Sequence, residues 1–156
     1  MATITKTIGT SSRDYSTMLL WEADLTDNTI YSDGDFAIGA CYNDSTFDMA
    51  GTYLYINGGS IDGGGKIDKI TLTAPEGERH DGTAGTGARI VSTSAHNRVY
   101  MRPQQTDVGY VTVEWLECNN NGRDTISFNS SGVSNSIACL RNCIIHNQMR
   151  SGLQAV

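Results

Sequence analysis

The chain of 156 residues amounts to one domain able to bury a core, and its 17 acidic and 11 basic residues give a net charge of −6 with no run of Lys or Arg. Nucleic acid and anionic membrane surfaces both call for a concentrated basic face, so neither is an expected partner. Hydrophobic residues make up 38% and charged residues 18%, so the polar character comes mainly from Thr, Ser, Asn and 17 Gly, a mixture that suits short strands and turns better than helices.

The opening Met-Ala-Thr-Ile-Thr-Lys-Thr lacks the apolar run of a secretory signal, and no stretch is long enough to span a bilayer. Synthesis in the cytoplasm without export is the expectation, unless an assembly carries the chain outside. Residues 2–9 alternate like a short strand. The spacing of Met18, Trp21 and Leu25 predicts a helix over about 15–25, with Asp14 or Ser16 as its N-cap. A lone amphipathic helix ahead of a strand-rich stack is suited to covering its first open layer.

Strand candidates follow at 36–42, 52–57, 67–73, 88–92, 98–102, 109–119, 124–129, 136–147 and 151–156. The gaps between them are rich in Gly, Asn, Asp and Ser, which tolerate positive φ or bond back to their own backbone. The segment 74–88 reads as a long loop projecting from the body of the domain.

Near the end the sequence echoes itself at one constant offset. Val111 falls over Ala138, Val113 over Leu140, Leu116 over Cys143, Cys118 over Ile145 and Asn120 over Asn147. Arg123 then meets Arg150, Ile126 meets Leu153 and Phe128 meets Ala155. Val99 and Met101 precede Ile126 and Phe128 by the same step. A register that holds through strands and turns alike distinguishes a stack of parallel coils from a β-sandwich, because each residue then sits one strand spacing, about 4.8 Å, from its counterpart. The expected fold is an all-β, right-handed parallel β-helix (a solenoid) with an N-terminal capping α-helix. One domain fills 1–156: strand and helix over 1–29, irregular first coils over 30–108, and regular 27-residue coils over 109–156. The last coil ends open at Val156, an edge that would suit a partner or a second copy.

Three stretches carry a family likeness. They are Thr7-Ile-Gly-Thr-Ser-Ser-Arg-Asp-Tyr-Ser-Thr with Trp21-Glu, Gly77-Glu-Arg-His-Asp-Gly-Thr-Ala-Gly-Thr-Gly-Ala-Arg-Ile90, and the coil from Val113 to Asn147. The chain resembles right-handed parallel β-helix proteins of the pectate-lyase-like superfamily, in particular members from phages and environmental bacteria. That resemblance implies the fold most strongly. Activities within the superfamily range from polysaccharide lyases and hydrolases to tailspikes and purely structural virion parts.

Each motif with chemical interest has a structural alternative that the pattern favours. Asn120 over Asn147 suits an inward amide ladder. Glu114 over Arg141 puts opposite charges on adjacent rungs, as a catalytic carboxylate beside an Arg would, but the pattern favours a cross-rung ion pair. Glu117 and Asp124 are carboxylates near the regular coils, without the defined separation that glycoside hydrolysis needs. Arg79-His80-Asp81 places a base beside an acid in the long loop, where a solvated turn is expected. Asp24, Asp27, Asp33, Asp35, Asn43, Asp44 and Asp48 form an oxygen-rich stretch of the kind calcium prefers, yet neither the EF-hand nor the Gly-Gly-x-Gly-x-Asp spacing is present. Gly63-Gly-Gly-Lys66 departs from a phosphate loop at Ser60 and Ile67. Cys41, Cys118, Cys139 and Cys143 lack zinc-ligand spacing, and Cys118 and Cys143 fall on inward positions.

No catalytic, cofactor-binding or metal-binding residue is therefore assigned, and no cofactor is expected beyond the calcium alternative. The expected function is a structural virion protein, a capsid decoration or a tail or fibre component, assembling with other virion proteins and copies of itself. The alternative is the N-terminal part of a polysaccharide-binding or polysaccharide-degrading (lyase or hydrolase) β-helix protein, with Tyr110 and Trp115 as a sugar platform. A cellular adhesion protein is a third option, disfavoured by the unexported N-terminus.

Overall fold

The computed structural model describes residues 1–49, 52–58, 61–92, 99–103, 110–120, 126–128, 137–147 and 153–155. Strands dominate: β1 (Thr3–Ile8), β2 (Phe36–Cys41), β3 (Thr46–Asp48), β4 (Leu54–Gly58), β5 (Lys69–Thr73), β6 (Arg89–Ser92), β7 (Val99–Pro103), β8 (Tyr110–Glu114), β9 (Glu117–Asn120), β10 (Ile126–Phe128), β11 (Ile137–Arg141), β12 (Ile144–His146) and β13 (Leu153–Ala155). They form three parallel sheets, ordered β1-β2-β5-β8-β11, β3-β6-β9-β12 and β4-β7-β10-β13. From β2 onward the chain visits the three sheets in rotation, and every ladder between these strands is parallel.

The repeating register is present in each sheet. Val111 pairs with Ala138 and Val113 with Leu140 in the first, Cys118 with Ile145 in the second, and Ile126 with both Val99 and Leu153 in the third. Earlier turns of the chain are longer. Phe36 faces Lys69, and Lys69 faces Tyr110 across a passage that contains the 74–88 loop.

Alternation decides what each face of the five-stranded sheet buries. Ala37, Ile70 and Val111 occupy one inward column and Leu72 and Val113 the next, all fully buried, while Ile56, Leu54, Ile90, Cys118 and Ile126 reach the same core from the other two sheets and Leu116 from the β8–β9 corner. Each such aliphatic side chain contributes about 1.5–3 kcal/mol on leaving water.

Helix α1 (Met18–Ala23) packs against β1, β2 and β4. The expected stripe is real, since Met18, Trp21 and Leu25 are all buried. The helix is shorter than the spacing suggests, and its N-cap is Thr17, whose hydroxyl accepts from the Leu20 N–H at 3.2 Å. Asp14 is occupied elsewhere: it accepts from the Thr7 N–H and hydroxyl, each at 2.7 Å, while Tyr15 bridges to Ile8 in parallel. After Ala23 the chain tightens into a 3-10 turn over Asp24–Thr26.

Three further expectations change. The 109–119 and 136–147 candidates each divide into two strands at a corner. Strand β3, a short run in a polar setting, carries no alternation long enough to betray it. The 74–88 loop does not project; it folds back onto the corners, with Ala74, His80 and Ala88 buried.

Candidate functional site

The outward columns of the five-stranded sheet build an open groove of about 720 Å³. One column runs Thr3, Phe36, Lys69, Tyr110, Ile137; the next runs Thr5, Ile38, Thr71, Thr112, Cys139. Tyr110 and Ile137 stand out at 49% and 48% exposure, unusual for large apolar side chains on a strand face. Lys66, Asp68, Lys69 and Arg141 also line the groove. The surface is thus apolar along its floor with cations at its margins.

Glu114 and Arg141 meet across adjacent rungs as expected, with Arg141 Nε 2.5 Å from Glu114 Oε2. The bond to Glu114 raises the Arg141 pKa further above its ordinary value. The guanidinium side chain remains largely exposed, so the pair orients Arg141 at the groove edge and adds little stability.

A second cluster occupies the corner between the first and second sheets. Trp115 and Asn142 turn the chain there with positive φ, 58° and 52°. The backbone ladder continues around the bend, with Trp115 N–H donating to Arg141 O and Ile144 N–H to Leu116 O. Over these corners lies the 74–88 loop. Arg79 stacks on the Trp115 ring at 4.8 Å, and the His80 ring lies 5.8 Å from it. His80 Nε2 sits 2.8 Å from Asn142 O, and Gly85 N–H donates to Glu117 Oε2 at 2.5 Å. Glu117, 1% exposed, places its other oxygen 2.7 Å from His146 Nε2. Burial opposes ionisation of Glu117, but the Gly85 N–H, His146 and Arg89 together hold its carboxyl below the usual range.

The sequence candidates separate on these contacts. Glu117 is a buried structural acceptor, and Asp124 lies outside the described residues. His80 and Asp81 do not form a base and its orienter: Asp81 accepts from Thr83 N–H and the Thr86 hydroxyl, while His80 is buried rather than solvated. Trp115 lies beneath Arg79 and His80, so it offers no open sugar platform, whereas Tyr110 does project. Asn147 is exposed and donates to Asn119 Oδ1 at 3.0 Å; the side chain of Asn120 lies outside the described residues.

Four acids of this stretch accept from backbone N–H groups, and Asp44 also from the Arg13 side chain. Asp33 accepts from Lys66 N–H, Asp35 from Ala2 and Ser32 N–H, Asp27 from Thr29, and Asp44 from Thr10, Ser11 and Arg13. Among the described residues no three metal-ligating side chains converge. Gly63, Gly64 and Gly65 all take positive φ, closing a turn in which Ile61 N–H reaches Gly65 O. All four cysteines are free thiols, and burial pushes those of Cys41 and Cys118 well up.

The sequence missed the loop-to-corner cluster because its members are far apart along the chain; His80 and Asn142 are separated by 62 residues. The one local signal was Gly87, where a Cβ would collide with the backbone nitrogen of His80. Compared with family models, curated proteins and solved structures, the chain matches none.

Proposed function

We propose that the chain is a right-handed parallel β-helix of the pectate-lyase-like type, serving as a structural component of a phage particle, either a capsid decoration or a tail or fibre part. The observation that carries this reading is the rotation of the chain through three parallel sheets in fixed register. Strand-to-strand parallel connections are overwhelmingly right-handed, which supports the handedness. Stacked coils make a stiff rod whose outward columns are free to vary, a form suited to repeated assembly. Glu117 bonds to Gly85 and His146, and His80 to Asn142, so their polar atoms are engaged between rungs, which supports a building block over an enzyme. Copies of itself and other particle proteins are the partners this reading implies. Mass spectrometry of particles produced from the genome that encodes the chain should find it at stoichiometric copy number. Its absence from them, with the purified chain monomeric, would overturn the reading.

The groove favours a second reading, binding of a surface polysaccharide. Tyr110 supplies an exposed ring for stacking on a sugar face, and Lys66, Lys69 and Arg141 suit acidic substituents. On a glycan array this reading expects retention that Tyr110→Ala abolishes; equal retention by the variant would dismiss it.

A further inference from the structure

We infer that the 74–88 loop is an acid-released strap: neutral His80 locks it across the corners of the stack, and protonation of His80 lets it go. The loop spans successive layers. Glu78 accepts from Asn43 N–H at 2.9 Å at the β2–β3 corner, and Asn43 Nδ2 donates to Thr86 O at 3.4 Å. Arg79 and His80 cover Trp115 at the β8–β9 corner, and His80 reaches Asn142 at the β11–β12 corner. The loop closes on itself through Ala88 N–H to Glu78 O and through the close approach of Gly87 to the His80 backbone.

The chemistry of the His80 contact fixes which ring nitrogen carries the hydrogen. A carbonyl oxygen only accepts, so Nε2 must carry the hydrogen that bonds Asn142 O. Nδ1 is buried and has no hydrogen-bond partner, which fits the bare nitrogen of the neutral Nε2–H tautomer. Charging the ring would create a buried N–H donor with no acceptor and a cation beside the Arg79 guanidinium. Among the described residues no nearby carboxylate is open to relieve it. Glu117 is engaged by Gly85 N–H and His146 with Arg89 close by, Glu78 by Asn43, and Asp81 by Thr83 and Thr86. The β8–β9 corner offers His80 the Trp115 ring, and the β11–β12 corner a carbonyl. Release uncovers Trp115 and frees Arg79, presenting an aromatic and a cation on the flank of the stack.

Hydrogen–deuterium exchange of the intact chain, read on residues 76–87 at pH 7.5 and pH 5.5 and corrected for intrinsic rates, tests the strap. Wild type should show several-fold more opening of this segment at pH 5.5, up to about tenfold for one ordinary histidine charging only when released, with β5 and β8 unchanged. His80→Gln retains an amide donor for Asn142 and cannot charge, so its exchange should be equal at the two pH values. A pH-independent wild type, or the same acid response in H80Q, would overturn the proposal. Should H80Q not fold, nitrogen-15 spectra of the His80 ring in wild type decide: a neutral Nε2–H ring at pH 7.5 that charges as the loop opens upholds the strap. An Nδ1–H ring, or a charged ring with the loop still protected, refutes it.

Discussion

Trp115 and Asn142 occupy equivalent places in successive turns of the chain and make the same left-handed bend from one sheet to the next, at φ 58° and 52°. The two residue types meet the strain differently. Asn tolerates this conformation through its short polar side chain, whereas Trp does not, and the strain at a non-glycine residue costs on the order of 1–3 kcal/mol. At Trp115 the stacking of Arg79 and the His80 ring offsets it. Asn142→Gly should therefore leave the denaturation midpoint unchanged or slightly raised, and Asn142→Val should lower stability by about 1–3 kcal/mol. Trp115→Gly should also destabilise, because relief of the backbone does not replace the lost ring contacts. Urea melts of the three variants check the order.

Gly39 is where the helix meets the stack. A Cβ there would lie 2.8–2.9 Å from three atoms of the Trp21 indole, which is fully buried. A rigid ring in a packed core has little room to retreat, so Gly39→Ala should cost about 1–3 kcal/mol by overpacking. The same change at Gly77, where a Cβ meets nothing within 4 Å but φ is 90°, tests backbone strain alone. Thermal denaturation of the pair separates crowding from conformation.

Glu117 ties the loop to two layers at once. Glu117→Ala leaves the Gly85 N–H and His146 without their acceptor and should cost about 1–3 kcal/mol, with Glu117→Gln milder because an amide oxygen still accepts. The pH dependence has a definite sign. The folded carboxyl is held below its ordinary 4.5, and Asp14, Asp44 and Asp81 are likewise held below 3.8. Depressed folded values mean that the unfolded chain takes up protons first, so this stabilisation is complete above the ordinary values and fades as pH falls through the folded ones. Denaturation midpoints between pH 7 and pH 2 should fall steeply below about pH 4, and less steeply in E117Q.

Glu22 shows the opposite sign. Burial raises its carboxyl from 4.5 to about 7, so the charged form is the disfavoured one in the folded chain. Its penalty is absent below the unfolded value and complete only above about pH 7. Glu22→Gln should raise the melting temperature at pH 8 and leave it nearly unchanged at pH 4, as paired calorimetry at the two pH values would show.

What the sequence revealed tracks where the turns of the chain are uninterrupted. From β7 to β13 nothing lengthens the path, so Val99, Ile126 and Leu153 echo at equal steps and can be read directly. Between Lys69 and Tyr110 the inserted loop breaks that period and hides an equally regular ladder. Strand β3 offers only Phe47 between two polar residues, too little alternation to register. The outward columns were legible in part: the Glu114–Arg141 pair followed from the offset, but the groove around Tyr110 depends on Phe36 and Lys69, which reach it through longer offsets. His80 looked solvated because its neighbours are polar; its burial comes from Trp115 and Asn142, which only the folded stack brings near.

Nuclear Overhauser contacts between backbone protons of uniformly labelled protein report whether the chain stacks in parallel and in register at the step that joins Glu114 to Arg141. Cross-strand contacts should link Val111 with Ala138, Val113 with Leu140, and Ile126 with both Val99 and Leu153. A hairpin pattern, with β8 running antiparallel to its neighbour and contacts whose residue numbers keep a constant sum and not a constant difference, would rule the stack out.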